Sequence, residues 1–152
     1  MKQEIIIAGF GGQGVLSMGK ILAYSGLMED KEVTWMPAYG PEQRGGTANV
    51  TVIVSDERIS SPILSQYDTA IILNQPSLEK FEGKIKPGGI LFTFSCSQVV
   101  TKDNFRTAVF TAAAMSGRSV RILHQLTQPA DHPVNIYHPE GEYLKGLVLY
   151  VE

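Results

Sequence analysis

An apolar run that breaks into a glycine-rich turn near the N-terminus is the feature that most constrains this fold. Residues 5–14 read Ile-Ile-Ile-Ala-Gly-Phe-Gly-Gly-Gln-Gly, and Gly9, Gly11 and Gly14 match the spacing G-x-G-x-x-G after a predicted buried strand. Glycine tolerates positive φ there and lets backbone amides approach a ligand. A helix that begins near Gly14 would direct its free N–H groups at an anion, typically a phosphate. The motif therefore predicts either a phosphate-binding turn or a tightly packed turn without a ligand.

Composition predicts one water-soluble domain and excludes several classes of function. The 152 residues are enough to bury a core, and the net charge of −2 gives no support for binding nucleic acid or an acidic membrane. No apolar stretch approaches the roughly 20 residues of a membrane span, and the N-terminus has no signal-peptide pattern. The single cysteine, Cys96, cannot form an internal disulfide, nor hold an iron–sulfur cluster or structural zinc alone. We therefore expect a cytoplasmic protein whose redox cofactors are organic or lie on another chain.

Hydrophobic periodicity predicts strands and helices in the order β-α-β-β-β-α-β along the first 95 residues. Val15, Met18 and Leu22 share one face of a helix after the glycine turn, and Pro37 is expected to end the next strand, at 32–37. This β-α-β beginning predicts a right-handed crossover between a parallel pair of strands. The expected fold class is α/β: a single domain, residues 1–152, with a Rossmann-like, mostly parallel sheet and flanking helices. The further predicted elements are strands at 48–54, 68–74 and 90–94 and a helix at 76–81.

The pattern is looser from about residue 95 onward. It predicts a helix at 104–115, strands at 119–123 and 144–151, and a proline-spaced loop at 125–142. The fold of this C-terminal third is the part that the sequence determines least.

A segment rich in glycine and proline, residues 38–47, is expected to form a loop beyond the carboxyl end of the second strand. Ligands of open α/β sheets bind at that edge, where the glycine turn also lies. Arg44, flanked by Gly45 and Gly46, has a guanidinium suited to a carboxylate or phosphate, although an ion pair within the loop is the structural alternative. Tyr39 suits a protein interface equally well.

The other polar residues near this edge do not predict catalysis by the chain itself. A dinucleotide-binding unit needs an acid at the end of the second strand, and that position falls at Met36 or Pro37, which argues against NAD. Asn74 either contacts a ligand or, as we favour, caps the helix that follows. The histidines lack the spacing of metal ligands, so we expect neither a metal site nor a catalytic residue. The candidate cofactor-binding residues are Gly9, Gly11, Gly12, Gln13, Gly14, Tyr39, Arg44, Gly45, Gly46 and Asn74.

The motifs as a set resemble one protein family. The chain contains, in this order, Ile7-Ala-Gly-Phe-Gly-Gly-Gln-Gly-Val15, Trp35-Met-Pro-Ala-Tyr-Gly-Pro-Glu-Gln-Arg-Gly-Gly-Thr47, Asn74-Gln-Pro-Ser77 and Lys86-Pro-Gly-Gly89. This set is similar to the gamma subunit of 2-oxoacid:ferredoxin oxidoreductases, the family that includes pyruvate synthase. The branch it resembles most is that of the 2-oxoglutarate and branched-chain 2-oxoacid enzymes. The resemblance covers about residues 3–93.

The resemblance implies a role inside a larger enzyme. Such enzymes oxidatively decarboxylate a 2-oxoacid on thiamine diphosphate, pass electrons through iron–sulfur clusters to ferredoxin, and transfer the acyl group to coenzyme A. The implied partners are alpha, beta and delta subunits, which carry the thiamine diphosphate and the clusters, whereas the gamma subunit carries neither. In single-chain relatives the corresponding domain is associated with coenzyme A. The resemblance thus places Gly11, Gly12, Gln13 and Arg44 near coenzyme A or a subunit interface, with 2-oxoglutarate as the expected substrate.

The chain departs from the family pattern after about residue 93. Residues 94–152 carry an irregular sequence in place of the expected closing elements, which indicates either a divergent lineage or a reading-frame change near codon 93. Two other functions stay open. One is a free-standing enzyme that binds S-adenosylmethionine or a nucleotide, because Lys86-Pro-Gly-Gly-Ile-Leu91 also occurs in S-adenosylmethionine enzymes. The other is a non-catalytic structural module.

Overall fold

The computed structural model describes residues 1–40 and 45–152. The strands and helices follow one another there in the order that the hydrophobic pattern predicts, and no helix in these two ranges is long and apolar enough to cross a membrane. The strands are β1 (Lys2–Phe10), β2 (Glu32–Tyr39), β3 (Thr47–Ser55), β4 (Tyr67–Ile72), β5 (Ile85–Ser95), β6 (Val120–Leu126) and β7 (Lys145–Val151). The helices are α1 (Val15–Met28), α2 (Gln75–Phe81) and α3 (Lys102–Ser116), with short 3-10 turns at Glu82–Lys84 and Pro139–Gly141.

The strands form one mixed sheet in the order β2-β3-β1-β4-β5-β7-β6. β1 runs parallel to β4 and β4 to β5, whereas the other four neighbouring pairs are antiparallel. The α/β class with flanking helices is confirmed, but the expectation that the sheet is mostly parallel is corrected. The connections explain the difference. Among residues 1–40 and 45–152, no α-helix lies between β2 and β3 or between β6 and β7, and strands joined without such a crossover pair antiparallel.

The predicted crossover joins strands that are not neighbours. β1 and β2 do run in the same direction, because both pair antiparallel with β3, which lies between them. β3 fills this place because Val50 and Val52 are fully buried in the same cluster as residues of α1. The parallel pair expected from the β-α-β pattern is therefore split by a third strand.

Pro37 does not end β2, contrary to the prediction. The strand continues to Tyr39, and Pro37 pairs with Val50 of β3. β2 is the outermost strand on this side of the sheet, and a proline is tolerated in an edge strand because its missing N–H costs no ladder hydrogen bond on the open side.

The core lies on both faces of the sheet. One cluster packs α1 against β1 and β3 through residues such as Ile7 and Val15, and the other packs α2 against β1, β4, β5 and β7 through residues such as Ile6 and Phe81. Successive strand residues serve opposite faces, as Ile6 and Ile7 do. Gly19 allows α1 to approach closely, since a Cβ there would lie 2.6 Å from Val50 Cγ1.

The C-terminal third is part of the same sheet. The predicted helix, strand and last strand correspond to α3, β6 and β7, and β7 inserts between β5 and β6 with most of its residues buried. α3 is capped by Thr101, whose side chain accepts from the Asn104 N–H, and ends at Gly117 in the left-handed region. No residue of α3 is buried, so this helix covers the sheet only loosely. β6 runs on to Leu126, into the range predicted as loop.

Candidate functional site

The glycine turn and the end of the following loop lie against each other beyond the carboxyl end of β1. The Gly11 N–H donates to the Gly46 carbonyl oxygen at 2.8 Å, and the Gly45 N–H donates to the Gly11 carbonyl oxygen at 3.5 Å. Gly12, Gly14 and Gly45 have φ of 95°, 78° and 77°, a range that favours glycine. The structure therefore brings together the two segments that the sequence pattern assigned to one edge of the sheet.

Gln13 braces the turn from its inner side. Its Oε1 accepts from the Phe10 backbone N–H at 2.6 Å, and its Nε2 donates to the Leu73 carbonyl oxygen at 3.2 Å. Gly9 packs against this amide, because a Cβ at Gly9 would lie 2.6 Å from Gln13 Oε1. Both residues hold the turn in position, and neither lines the cleft described next; a contact of either with a ligand stays a prediction.

A cleft of about 620 Å³ opens between the glycine turn, the first turns of α1 and the ends of β2 and β3. A Cβ at Gly12 or Gly14 would meet no atom within 4 Å, so this part of the backbone faces open space. The first N–H groups of a helix lack intrahelical acceptors, and the helix dipole favours an anion at this end. The arrangement suits a phosphate-bearing ligand. The cleft is lined by Phe10, Gly11, Gly12, Gly14, Val15, Leu16, Ser17, Lys20, Trp35, Tyr39, Thr47 and Ala48.

Sequence reasoning misses several side chains of this cleft, among them Ser17, Lys20 and Trp35. Lys20 Nζ lies 5.5 Å from the centre of the Trp35 ring, within the range of a cation–π contact. Ser17 and Lys20 follow Gly14 at steps of three residues, which places them on one face of the helix. This spacing is the sequence signal from which both residues could have been predicted. Trp35 has no comparable signal, because its position depends on how β2 lies beside α1.

The predicted loop residues are only partly described. Tyr39 lines the cleft and is exposed. Arg44 lies outside the described residues, so its role as a binding residue stays a prediction.

Asn74 has a structural role. Its Oδ1 accepts from the Ser77 N–H at 2.9 Å as the N-cap of α2, which confirms the interpretation that we favoured from the sequence. Its Nδ2 lies 3.4 Å from Gln13 Oε1. Asn74 therefore contacts the same Gln13 side chain that holds the glycine turn in position. A direct contact of Asn74 with a ligand stays a prediction.

A second cavity, of about 500 Å³, lies on the other side of the glycine turn. Residues from the C-terminal third form most of its wall, among them the exposed Cys96. Lys145 also borders it, but its ammonium donates to the carbonyl oxygens of Ser97 and Tyr143, at 2.8 and 2.9 Å. The charge of Lys145 is thus engaged within the protein, and this cavity suits an anion less well than the cleft.

A cluster of charged residues lies at the opposite end of the strands from the cleft. Lys86 Nζ lies 2.5 Å from the Glu4 carboxylate and 2.8 Å from that of Asp68, so one lysine links β1, β4 and β5. Partial burial disfavours the charged forms of Glu4 and Lys86, but their hydrogen bonds favour these charged forms more strongly. The pKa of Glu4 is therefore lowered and that of Lys86 is raised. Among residues 1–40 and 45–152, no group of three His, Cys, Asp or Glu residues is arranged to hold a metal ion.

The fold and the cleft define a class of protein: an α/β domain in which a glycine turn and a helix N-terminus lie together at the carboxyl edge of the sheet, an arrangement that suits an anionic ligand. The chain belongs to the pyruvate ferredoxin/flavodoxin oxidoreductase family, whose model matches residues 4–132. The resemblance inferred from the motifs of residues 3–93 is thereby confirmed. The family match also continues past residue 93, as far as the segment after β6.

Relatives of known identity agree with this family. The ketoisovalerate oxidoreductase subunit VorA of Methanothermobacter marburgensis is 48% identical over 104 residues, which are 68% of this chain and 22% of VorA. The keto/oxoacid ferredoxin oxidoreductase gamma subunit of Geobacter sulfurreducens superimposes with a TM-score of 0.51 at 34% identity, over 60% of this chain and 49% of that one. The 2-oxoglutarate:ferredoxin oxidoreductase of Magnetococcus marinus, solved with 2-oxoglutarate, coenzyme A and succinyl-CoA, gives a TM-score of 0.53 at 30% identity, over 58% and 15%. The chain spans about a fifth of the length of VorA.

A second kind of relative matches a shorter part of the chain. The ribosomal RNA large subunit methyltransferase I of Cronobacter sakazakii is 51% identical over 67 residues, which are 44% of this chain and 17% of the methyltransferase. Together the matches to VorA and to the methyltransferase exceed the 152 residues of the chain, so they overlap.

Proposed function

We propose that the chain is the gamma subunit of a multi-subunit 2-oxoacid:ferredoxin oxidoreductase and contributes to coenzyme A binding or to subunit assembly. The complex would convert a 2-oxoacid, coenzyme A and oxidised ferredoxin into an acyl-CoA, CO₂ and reduced ferredoxin. Alpha, beta and delta partner subunits would carry the thiamine diphosphate and iron–sulfur clusters. The observation that carries the proposal is the open cleft beside the glycine turn, in a chain related at 30% identity to an enzyme solved with coenzyme A and succinyl-CoA.

The residues of the cleft supply what coenzyme A requires of a binding domain. The N–H groups at the start of α1 can donate to its phosphates, and the ammonium of Lys20 adds a positive charge one turn further along the helix. Trp35 and Tyr39 offer aromatic surfaces on which a base can stack. Gly45 and Gly46 hold the loop end against the turn and so bound the same region. The chain would thus bind and orient coenzyme A while its partners perform the oxidation.

The identity of the 2-oxoacid substrate is less well determined than the role of the chain as a subunit. VorA is named for ketoisovalerate, and the Magnetococcus enzyme for 2-oxoglutarate. We propose 2-oxoglutarate, with a branched-chain 2-oxoacid as the alternative. The choice would be made by the subunits that carry thiamine diphosphate, so the side chains of this cleft do not distinguish the two.

The division of the chain into residues 1–93 and 94–152 also stays a proposal. We place the 67-residue match to the methyltransferase in the C-terminal part, because Lys86-Pro-Gly-Gly-Ile-Leu91 also occurs in S-adenosylmethionine enzymes. An identity of 51% over that length favours a segment translated in its own reading frame over a reading-frame change. The family model also matches this part, as far as residue 132. We infer that the C-terminal part, from about β5 onward, is related to the methyltransferase and completes a sheet whose first part is of gamma type.

This match also makes an S-adenosylmethionine-dependent enzyme the second candidate function. Two observations weigh against it. The chain covers 17% of the methyltransferase, and the last two residues of β2, Ala38 and Tyr39, provide no ribose-binding acid. Calorimetric titration with S-adenosylmethionine and with coenzyme A separates the candidates, since saturable binding of the former alone favours the methyltransferase.

The decisive experiment for the subunit proposal is purification of the tagged chain from its host, followed by assay of coenzyme A-dependent viologen reduction with a panel of 2-oxoacids. Recovery of partner chains with activity is the expected result, and the preferred 2-oxoacid identifies the enzyme. A chain recovered alone and inactive would contradict the proposal.

A charge placed in the cleft tests the role of coenzyme A within the recovered complex. Ser17→Glu puts a carboxylate beside the start of α1 and is expected to raise the KM for coenzyme A roughly tenfold, equivalent to about 1.4 kcal/mol. Ser65→Glu, in the exposed segment before β4, is the matched control and should leave that KM unchanged. An equal KM for both variants would restrict the role of this chain to assembly.

A further inference from the structure

The described wall of the cleft carries an ammonium group and no carboxylate. Among the described residues that line it, Lys20 is the single charged side chain. The start of α1 is not neutralised either, because its first turn contains no acid and no described side chain caps it. The first intrahelical bond runs from the Met18 N–H to the Gly14 carbonyl oxygen, so the N–H groups of residues 15–17 have no intrahelical acceptor. Both features attract an anion.

The ammonium and the amides at the start of α1 mark two separate positions for negative charge. Lys20 follows Leu16, in the middle of that first turn, by four residues, which is roughly 6 Å along the helix at 1.5 Å per residue. Its Nζ lies 5.5 Å from the centre of the Trp35 ring. That ring lies beside Gly19, since a Cβ there would be 3.0 Å from Trp35 Nε1. The ammonium is therefore held further along α1, and the cleft suits a ligand with two phosphate positions a short spacer apart.

The contact with Trp35 positions the ammonium without neutralising it. The quadrupole of an aromatic ring attracts a cation that lies over its face, but the ring brings no negative charge. An ion pair, such as that of Lys86 with Asp68, instead places a carboxylate where a ligand phosphate would have to bind. The contact with Trp35 thus leaves the positive charge of Lys20 available to a ligand.

The charges near the end of β2 favour a ribose that carries a phosphate. In nucleotide-binding α/β sheets an acid at this place accepts from a free ribose hydroxyl, whereas a cation nearby accommodates a ribose phosphate. The last two residues of β2, Ala38 and Tyr39, provide no acid, and Lys20 brings a cation to the same cleft. Coenzyme A bears such a group, a 3′-phosphate one ribose away from its diphosphate.

We propose that Lys20 binds the 3′-phosphate of coenzyme A and makes the cleft select coenzyme A over dephospho-coenzyme A. The amides at the start of α1 would hold the diphosphate, and Trp35 is the positioning residue for Lys20. This inference rests on the proposed binding of coenzyme A and adds which group of the ligand the chain recognises. NADP⁺ carries its ribose phosphate at the 2′ position and is therefore the competing ligand in the test.

Calorimetric titration of the full chain with coenzyme A, dephospho-coenzyme A and NADP⁺ tests the inference. The wild-type chain is expected to bind coenzyme A roughly tenfold more tightly than dephospho-coenzyme A, because loss of the phosphate removes a hydrogen bond between charged groups. Equal affinity for these two ligands overturns the inference and leaves the proposed function standing. Binding of neither contradicts the coenzyme A binding on which the inference rests. Tighter binding of NADP⁺ than of coenzyme A also overturns it.

Substitution of Lys20 shows whether this residue causes the preference. Lys20→Gln should weaken coenzyme A binding to about that of dephospho-coenzyme A and leave the latter nearly unchanged, whereas Lys20→Arg keeps a cation and should retain most of the preference. Lys80→Gln is the matched control, because Lys80 is an exposed lysine outside the cleft whose Nζ lies 5.3 Å from the centre of the Phe81 ring. An equal loss for both ligands in Lys20→Gln, or the same loss of preference in Lys80→Gln, contradicts the assignment.

Trp35→Leu tests the positioning role of the ring. Without the aromatic face the ammonium loses its cation–π contact, so the ratio of the two affinities should fall toward one while dephospho-coenzyme A still binds. An affinity ratio as large as that of the wild type would show that Lys20 does not depend on Trp35 for its position.

Discussion

Gln13 and Leu73 join the glycine turn to the end of β4, since the Gln13 side-chain amide donates to the Leu73 carbonyl oxygen at 3.2 Å. The same side chain accepts from the Phe10 backbone N–H at 2.6 Å. One glutamine therefore fixes the turn relative to two adjacent parallel strands, β1 and β4. The shape of the cleft depends on a side chain that does not line it.

Gln13→Leu should loosen the turn while keeping the side chain at similar size. Two part-buried backbone groups lose their partner, so we expect the free energy of unfolding to fall by about 1–3 kcal/mol. Urea denaturation followed by circular dichroism measures the change. Gln75→Leu, at an exposed position of α2, is the control and should change stability by less than about 0.5 kcal/mol. Equal losses in both variants would contradict the bracing role of Gln13.

Gly19→Ala should separate α1 from the sheet. The added Cβ would lie 2.6 Å from Val50 Cγ1 and 3.0 Å from Trp35 Nε1, so either the helix or these side chains must move. Overpacking of this kind costs about 1–3 kcal/mol, measured as a lower midpoint of urea denaturation. Gly83→Ala serves as the control because its Cβ would meet no atom within 4 Å. A Gly19→Ala protein as stable as the Gly83→Ala protein would show that α1 is less closely packed than the structure indicates.

The local parts of this fold follow from the sequence. The glycine turn, the start of α1 and the cap at Asn74 each depend on neighbouring residues, so their patterns predict them correctly. Strand order does not follow in the same way. β3 could have paired at the edge or between β1 and β2, and burial of Val50 and Val52 against α1 decides the second. Such a contact becomes visible only when the elements are packed together.

The candidate site was likewise predicted only in part from the sequence. Gly11, Gly45 and Gly46 were expected at one edge, and hydrogen bonds join them there. The resemblance placed Gln13 near coenzyme A or a subunit interface, which stays a prediction, and its hydrogen bonds add a structural role that the sequence did not predict. Trp35 lines the cleft only because α1 lies across β2. No local sequence pattern predicts that packing.

Asn74→Ala should remove the N-cap of α2. The Ser77 N–H would lose its acceptor, and loss of such a cap costs about 1 kcal/mol of unfolding free energy. Asn74→Ser keeps a capping oxygen and is expected to restore most of this stability, as thermal denaturation of the three proteins would show. If the serine variant is as unstable as the alanine variant, the contact of Asn74 with Gln13 matters more than the cap.

The ion pairs of Glu4 with Lys2 and Lys86 should make stability depend on pH on the acid side. Because the pKa of Glu4 is lowered from 4.5 in the folded protein, its stabilising contribution is complete above about 4.5 and is lost as the pH falls through the lowered value. Glu4→Gln removes this contribution. We therefore expect the stability difference between the wild type and the variant to be largest near neutral pH and to shrink below about pH 4.5 in urea denaturation. Glu57→Gln, at an exposed position, should show no such trend. A difference for Glu4→Gln that stays constant with pH would mean that packing, rather than the ion pair, accounts for its effect.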